Sequence, residues 1–223
     1  MKLKYKTIIF DLDGTLLDTI EDITICVNKA IENNGFSVNY SFEQCKKFIG
    51  SGARELIHRA TAVIKCSKDV EDNIFNDYMD LYKIHRNDNA KPFLEVVETL
   101  KELKSQGAIL GVISNKPEQD TIACINRYFF GIFDFVVGGK KDVPVKPNPF
   151  VFYLLKDKYG FKECETLYVG DMIYDIEFAK NAKIDVAIYR YGYGNFNKQC
   201  GNYYIESLKD LISIEEGRYE KTI

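Results

Sequence analysis

The chain of 223 residues is long enough for a sizeable folded core, and its 46% hydrophobic and 28% charged residues exclude wholesale disorder. Thirty basic residues against thirty-three acidic ones give a formal net charge of −3, with no basic run of the kind that binds nucleic acid. We therefore expect a small-molecule partner and no nucleic acid.

The N-terminal stretch and the cysteines indicate the compartment. The opening sequence MKLKYKTIIFDLDG contains no apolar segment long enough for export or for spanning a membrane. The six cysteines are scattered and form no CxxC pair, so we expect reduced structural thiols rather than a zinc or redox site. The sequence thus predicts a cytoplasmic protein with no membrane partner.

Apolar runs at five places predict short buried strands. They span residues 7–12, 108–114, 133–139, 165–171 and 185–190. Helical patterns fall between the last four, at 117–129, 149–159 and 173–182. Because strand and helix alternate, we expect an α/β fold with a doubly wound parallel sheet of the Rossmann-like kind.

The segment after the first strand contains helical patterns and no convincing strand. Thr19 with Asp22 approximates a capping box at the start of one helix, and Ser41 with Gln44 opens a second. A longer helix is predicted over 68–86, with apolar residues along one side. These helices belong to a unit other than the sheet.

This interruption predicts two structural units. Residues 19–86 are expected to form an inserted all-helical cap domain. Residues 1–18 and 87–223 are expected to form the sheet core. We use the name "cap" below for residues 19–86.

Polar side chains gather at the carboxyl ends of the predicted strands. The set comprises Asp11, Asp13, Ser114, Asn115, Lys146, Asp171 and Asp175. Open parallel α/β sheets bind their ligands at this edge. Taken singly, each stretch is explained as a turn or a helix cap, as with Asp13 followed by Gly14. Turn chemistry does not require the whole set, so together these residues predict a functional crevice.

Several carboxylates in one crevice need a cation to neutralise them, unless some stay protonated. Oxygen ligands suit Mg²⁺, and Mg²⁺ together with a lysine suits a phosphoryl group. The sequence has no P-loop, which disfavours nucleotide-driven transfer. A YGYGN stretch at 191–195 follows the last strand but matches no dinucleotide-binding fingerprint.

Four stretches resemble, in the right order, the four motifs of the haloacid dehalogenase superfamily. They are DLDGTLLD, the serine at 114, the lysine at 146 in VKPNP, and GDMIYD at 170–175. The resemblance covers nearly the whole chain. The helical insertion resembles the cap of the subgroup that includes phosphoglycolate phosphatase.

The resemblance implies that Asp11 is the nucleophile that forms an aspartyl-phosphate intermediate. Asp13 is then the general acid and base, which protonates the leaving oxygen and later activates water. A halide leaves without a proton, so the paired acids favour a phosphatase over a dehalogenase. The resemblance further implies Mg²⁺ bound by Asp11, the main-chain carbonyl of Asp13 and Asp171, with Asp175 supporting these ligands.

The phosphate group has its own implied contacts. Ser114 and Asn115 are expected to hold phosphate oxygens, and Lys146 to offset the charge of nucleophile and substrate. Gly14 lets the backbone approach the phosphoryl group, and its amide and that of Thr15 are candidate donors.

Substrate choice is expected to come from the cap. The stretch FIGSGARELIHRA at 48–60 resembles the glycine-containing helix start that phosphoglycolate phosphatases place over the active site. Arg54 is the candidate contact for a substrate carboxylate, with an exposed helix arginine as the alternative interpretation.

We therefore predict a Mg²⁺-dependent phosphomonoester hydrolase of phosphoglycolate phosphatase type. It would act on a small phosphorylated metabolite as a monomer or homodimer. A 5′-nucleotidase, a pyrophosphatase and a sugar phosphatase share the same core chemistry. A β-phosphoglucomutase-like phosphotransferase is a different reaction class, and a binding module that kept the fold is the non-enzymatic alternative.

Overall fold

The computed structural model describes residues 3–195 and 201–218. Its strands are β1 (Thr7–Phe10), β2 (Leu17–Asp18), β3 (Lys91–Pro92), β4 (Ile109–Pro117), β5 (Phe135–Gly139), β6 (Thr166–Gly170), β7 (Asp185–Tyr189) and β8 (Tyr203–Ile205). Its helices are α1 (Ile20–Asn33), α2 (Phe42–Lys46), α3 (Ala53–Thr61), α4 (Lys68–His85), α5 (Val96–Ser105), α6 (Glu118–Tyr128), α7 (Phe150–Tyr159), α8 (Ile173–Ala182) and α9 (Asp210–Glu215). None of the helices in these ranges has the length and apolar character needed to cross a bilayer.

Six strands form the main sheet in the order β5-β4-β1-β6-β7-β8. Every neighbouring pair in this sheet is parallel. The predicted α/β fold with a doubly wound parallel sheet is therefore confirmed. The edge strand β8 and helices α5 and α9 were not predicted from the sequence.

Both faces of the sheet are covered, which explains why its strands are continuously apolar. Along β1, Ile8 and Phe10 belong to a hydrophobic cluster with residues of α5, α6 and α9. Ile9, on the opposite face, belongs to a second cluster with residues of α7 and α8. The alternation of side chains along the strand thus supplies both layers of the core.

Helices α1 to α4 follow one another between β2 and β3 and have a hydrophobic cluster of their own. Its fully buried members are Val27, Ala30, Ile31, Cys45, Ile57, Ala60 and Ile74. The short strands β2 and β3 pair antiparallel, with Leu17 opposite Pro92. The chain therefore enters and leaves the helical segment through one two-stranded ribbon.

One local prediction in this segment is confirmed and one is wrong. Ser41 and Gln44 form the expected capping box at the start of α2. Thr19 precedes α1 but makes no side-chain cap bond, because its hydroxyl donates to the charged carboxylate of Asp13 at 2.7 Å. Asp22 instead accepts the backbone amide of Ala90 at 2.9 Å. Contacts between distant segments thus replace the local cap.

Candidate active site

The sheet order brings the predicted site residues together. Strand β1 lies between β4 and β6, with Phe10 level with both Val112 and Val169. The residues that follow these positions therefore meet at one edge of the sheet. Six of the predicted site residues are buried at this edge, namely Asp11, Ser114, Asn115, Lys146, Asp171 and Asp175, and Asp13 is half-buried beside them.

The loop after β1 is shaped by a glycine. Gly14 has φ +83°, and a Cβ atom there would lie 2.4 Å from Oδ2 of Asp171. The amide of Gly14 donates to the carbonyl of Leu17 at 2.8 Å, and the amide of Thr15 donates to that of Leu12 at 3.3 Å. Both amides that were candidate phosphate donors are thus bonded within the loop. The hydroxyl of Thr15 donates to Oδ1 of Asp171 at 2.7 Å and so orients that carboxylate.

Lys146 supplies a buried positive charge next to Asp11. Its Nζ lies 3.1 Å from Oδ1 of Asp11 and donates to Oδ1 of Asp175 at 2.6 Å. It also donates to the hydroxyl of Tyr168 at 2.8 Å, so its position is fixed from three sides. Burial lowers the pKa of Lys146, but the charges of Asp11 and Asp175 outweigh this and raise it overall.

This lysine does not neutralise the carboxylates around it. Burial raises the pKa of Asp11 to about 6, although Lys146 acts in the opposite direction. Burial also raises the pKa of Asp171 well above its ordinary value, and the charges of Asp175 and Asp11 raise it further. With one ammonium group facing three buried carboxyl groups, the cluster must either retain protons or take up a cation.

The cluster fits a divalent metal ion. Carboxylate oxygens of Asp11, Asp171 and Asp175 lie within 4.8 Å of one another. Oδ1 of Asp11 is buried, and its one partner among the described residues is Nζ of Lys146, 3.1 Å away. A buried all-oxygen donor set with three carboxyl groups and one lysine suits a hard cation.

Asp175 already uses both of its oxygens within the protein. Oδ1 accepts the bond from Lys146, and Oδ2 accepts the amides of Asp171 at 3.0 Å and Met172 at 2.8 Å. It therefore ties the loop after β6 to the lysine. Such an arrangement is what a residue needs if it supports the ligands of a metal without binding it.

Asp13 faces a different set of partners. Its Oδ1 accepts bonds from the hydroxyl of Thr19 at 2.7 Å and from Nζ of Lys116 at 2.8 Å. Lys116 also lies 3.1 Å from Oδ2 and donates to the hydroxyl of Tyr82 at 2.5 Å. The two aspartates of the DLDG stretch thus have separate environments. Asp11 lies with the carboxylates of Asp171 and Asp175, and Asp13 lies beside Thr19 and Lys116.

Asn115 joins three parts of the chain. Its Nδ2 donates to the carbonyls of Gly50 at 2.8 Å and Lys146 at 2.9 Å, and its Oδ1 accepts the amide of Lys146 at 2.8 Å. The side chain predicted to hold phosphate is thus engaged in bridging the core and the helical segment. Oγ of Ser114 accepts the amide of Lys116 at 3.3 Å and retains its own hydrogen for a ligand.

The helical segment packs closely over this edge. Gly50 has φ +111°, and a Cβ atom there would lie 2.7 Å from the ring of Tyr174. Arg59 donates to the hydroxyl of Tyr174 at 2.9 Å and to Oγ of Ser51 at 3.0 Å. The glycine-containing start of α3 therefore lies directly against the core.

A cavity lies between the two parts and reaches both catalytic candidates, Asp11 and Asp13. Its volume is about 50 Å³. The side chains lining it from the cap and the loop after β6 are mainly apolar, including Ile23, Ile49, Leu56, Met79 and Met172. The space admits a ligand with few atoms beyond the reacting group.

The structure does not bring Arg54 to this cavity. Its side chain is half-exposed and donates to Oδ1 of Asp72 at 2.6 Å. Its guanidinium group lies 3.5 Å from the centre of the Phe75 ring. Arg54 is absent from the residues that line the cavity.

Two further residues at the site were missed in the sequence analysis. Lys116 and Tyr82 both line the cavity and contact one another. A signal for Lys116 was present, because a lysine directly after Ser114 and Asn115 lies in a buried strand, where an unpaired charge is costly. Tyr82 gave no comparable signal, since tyrosines on an amphipathic helix usually serve the core.

Tyr193, from the YGYGN stretch, is a third missed residue. Its amide donates to Oδ2 of Asp171 at 2.7 Å, and its hydroxyl accepts the amide of Thr19 at 2.6 Å. Gly192 beside it has no room for a side chain, because a Cβ atom would lie 2.2 Å from Cβ of Asp171. The stretch therefore connects Asp171, in the carboxylate cluster, to the start of α1.

Comparison with known proteins supports the geometry. The family model described as haloacid dehalogenase-like hydrolase matches residues 8–189. A phosphoglycolate phosphatase of Aquifex aeolicus is 30% identical over 94% of this chain and 96% of its own length, and one of Aliivibrio fischeri is 32% identical over 94% and 92%. The crystal structure of a predicted phosphoglycolate phosphatase from Haemophilus somnus is 27% identical, with a TM-score of 0.87 over 95% of this chain and 98% of that one. The chain belongs to the haloacid dehalogenase-like hydrolase family.

Proposed function

We propose that this protein hydrolyses phosphate monoesters of small molecules through an aspartyl-phosphate intermediate on Asp11. The observation that carries the proposal is the arrangement around that residue. Asp11 has a buried oxygen 3.1 Å from the ammonium group of Lys146, and a second aspartate two positions on faces the same cavity. A nucleophile, a charge partner and a proton donor are thus present together.

Asp11 attacks phosphorus, and Lys146 offsets the charge that nucleophile and phosphoryl group bring together. Mg²⁺ is the proposed metal, held by Asp11, the main-chain carbonyl of Asp13 and Asp171, with Asp175 in support. When bound, Mg²⁺ would supply the positive charge that the carboxylate cluster lacks and would favour transfer of the phosphoryl group. Ser114 is the proposed side-chain contact for a phosphate oxygen, whereas the side-chain amide of Asn115 already donates to Gly50 and Lys146. Mg²⁺ is assigned because all of the candidate donor atoms are oxygens.

Asp13 protonates the leaving oxygen, because an alkoxide is a poor leaving group without a proton. It then takes a proton from the water that attacks the intermediate. Its bonds from Thr19 and Lys116 fix the carboxylate at the edge of the cavity. A halide needs no such acid, so the arrangement favours phosphate esters.

We propose that residues 19–86 act as a cap over a core made of residues 1–18 and 87–223. The bond from Asn115 to Gly50 and the cavity lined from both sides support this division. Closure of such a cap excludes bulk water and strengthens the electrostatic interactions inside. The cap is then the part that selects the substrate.

A small ester of the phosphoglycolate type is the proposed substrate. The relatives of this chain carry the name phosphoglycolate phosphatase, and the space in the cavity suits a leaving group of a few atoms. A 5′-nucleotidase, a sugar phosphatase and a β-phosphoglucomutase-like enzyme share the core chemistry and are the alternatives that the panel below distinguishes. Pyrophosphate is small enough to be tested beside the esters.

Phosphate release from a panel of compounds tests the proposal. The panel contains 2-phosphoglycolate, nucleoside monophosphates, pyrophosphate and hexose phosphates, each with Mg²⁺ and with a chelator. We expect 2-phosphoglycolate to have the highest kcat/KM and the chelator to abolish turnover. Asp11→Asn provides the inactive control. Preference for another compound would overturn the substrate class, and activity in the Asp11→Asn variant would overturn the mechanism.

A further inference from the structure

We propose that Lys116 binds a carboxylate carried by the leaving group, and thereby makes phosphate esters of small hydroxy acids the preferred substrates. The inference rests on the proposed phosphatase function and assigns one determinant of its specificity. It gives to Lys116 the role that the sequence alone suggested for Arg54.

The position of Lys116 is the first reason. Its Nζ lies 2.8 Å and 3.1 Å from the two carboxylate oxygens of Asp13. Asp13 is the group that must reach the leaving oxygen of the substrate. The ammonium group therefore lies on the leaving-group side of the reacting bond, away from Lys146 and the carboxylate cluster. A second functional group one or two carbons from that oxygen comes within its reach.

The burial of Lys116 is the second reason. Its side chain is only 3% exposed, so the charge is poorly hydrated and interacts strongly with an anion. The hydroxyl of Tyr82 accepts a bond from Nζ at 2.5 Å, and Nζ also lies 4.5 Å from the centre of the Tyr82 ring. Tyr82 belongs to α4 of the cap. The position of the ammonium group is thus set jointly by the core and the cap.

The charges around the cavity are the third reason. Among the described residues that line it, Lys116 is the one cation. Much of the remaining wall is apolar and provides nothing to solvate a carboxylate. Asp120 also lines the cavity, but Arg86 lies 3.4 Å from its Oδ1 and reduces its repulsion. A carboxylate in this space meets one cation, whose ammonium group it would share with Asp13.

Arg54 is the rival assignment, and its contacts are different. Its charge is paired with Asp72 at 2.6 Å on the outer side of the helices, and its guanidinium group covers Phe75. An exposed pair of this kind contributes little and does not reach the cavity. The two assignments therefore predict opposite results for the two variants.

The test compares two esters of matched length. 2-Phosphoglycolate carries a carboxylate where 2-hydroxyethyl phosphate carries a neutral hydroxyl group. The ratio of their kcat/KM values is measured for the native enzyme and for Lys116→Met, Lys116→Arg, Arg54→Met and Lys101→Met. Lys101 is an exposed lysine on α5 and serves as the matched control for the loss of one charge. Because only the change in ratio is used, general slowing through Asp13 cancels.

We expect Lys116→Met to lower the ratio by about 10- to 100-fold, the effect of losing a charged hydrogen bond. Lys116→Arg should keep part of the preference, and Lys101→Met should keep all of it. An unchanged ratio in Lys116→Met would overturn the inference while leaving the phosphatase function intact. A fall in the ratio that occurs only in Arg54→Met would show that Arg54, and not Lys116, binds the substrate carboxylate. Failure of the native enzyme to release phosphate from any ester would overturn the function and the inference together.

A binding measurement keeps the inference testable if Lys116→Met turns over too slowly. Both esters are titrated calorimetrically into Asp11→Asn and into the double variant Asp11→Asn/Lys116→Met, with Mg²⁺ present. We expect Asp11→Asn to prefer 2-phosphoglycolate and the double variant to lose most of that preference. Equal preference in the two proteins would contradict the assignment. Circular dichroism of each variant confirms that the fold is retained.

Discussion

Nζ of Lys146 lies 3.1 Å from Oδ1 of Asp11, and this pair sits at the centre of the site. The lysine is shared with Asp175, so one cation serves two carboxylates, and Asp171 lies in the same cluster. Folding therefore brings more negative than positive charge into a buried space. The free energy of unfolding of the metal-free protein should therefore depend on whether these carboxyl groups are ionised.

The first prediction is that the metal-free protein loses stability as the pH rises. A carboxyl group whose folded pKa is raised binds more protons in the folded state than in the unfolded state, so the free energy of unfolding falls with increasing pH. For Asp11 this fall begins at its ordinary value of 3.8 and continues through about 6. Asp171, whose pKa is also raised, adds to the fall. Thermal unfolding in chelator across this range measures the effect, and saturating Mg²⁺ should remove it.

The matched variant for this prediction is Asp171→Asn, which removes one of the three charges. Above about pH 6 the metal-free variant should unfold at a higher temperature than the metal-free native protein, relative to their values in acid. Mg²⁺ should stabilise the variant much less than the native protein. Equal stabilisation of both by Mg²⁺ would place the metal elsewhere.

The second prediction concerns Gly192. Replacing it by alanine would put Cβ 2.2 Å from Cβ of Asp171, so the carboxylate must move. We expect the apparent affinity for Mg²⁺ to fall by about 10- to 100-fold, as when a group that orients a metal ligand is lost. Activity as a function of Mg²⁺ concentration measures this change.

Gly107→Ala is the control for Gly192→Ala. Gly107 has φ +91°, so alanine is strained there, but no atom lies within 4 Å of the added Cβ. This variant should lose stability and keep its affinity for Mg²⁺. If Gly192→Ala also kept its affinity, Asp171 would not depend on the close approach of that loop.

The third prediction tests the size limit set by the cap. Met79 lines the cavity, and Met79→Ala enlarges the space beyond the reacting group. We expect kcat/KM for 3-phosphonooxypropionate, which has one more methylene group than 2-phosphoglycolate, to rise by about tenfold relative to that for 2-phosphoglycolate, the typical effect of one methylene group in an apolar pocket. Met79→Leu, which nearly conserves volume, should leave the ratio unchanged. A fall in the ratio for Met79→Ala would show that the cavity does not limit the substrate.

The sheet, and the meeting of the candidate residues at one of its edges, could be predicted from the sequence because both depend on local pattern. A short apolar run in the sequence predicts each of these strands, and the functional groups follow directly after it. Once β1 lies between β4 and β6, Asp11, Ser114 and Asp171 must meet. The position of each residue along its strand was therefore enough to predict that these functional groups lie close together.

Residues that reach the site from a distance were not predictable in this way. Tyr82 arrives from α4, and Tyr193 arrives from the loop after β7, and both reach the site through the packing of whole elements. The same applies to Thr19, whose hydroxyl prefers a charged oxygen of Asp13 to the local helix cap. Arg54 illustrates the converse, since its place in a family-like stretch did not determine where its side chain lies.

The C-terminal elements escaped prediction for a different reason. Strand β8 has only three residues, Tyr203–Ile205, and α9 has six, Asp210–Glu215. Segments this short have weak periodicity, and their burial depends on the sheet edge and on α5. Glu215 even accepts backbone amides of Lys4 and Tyr5 from the other end of the chain.

The most direct test of the account is to trap the phosphoryl group on Asp11 with the Asp13→Asn variant. p-Nitrophenol leaves readily without an acid, but hydrolysis of the intermediate still needs the base that this variant lacks. With p-nitrophenyl phosphate and Mg²⁺ we expect a burst of about one p-nitrophenol per active site. Mass spectrometry of the acid-quenched protein should then find one phosphoryl group on the peptide that contains Asp11. Steady turnover without a burst, or a phosphoryl group on another residue, would contradict the account.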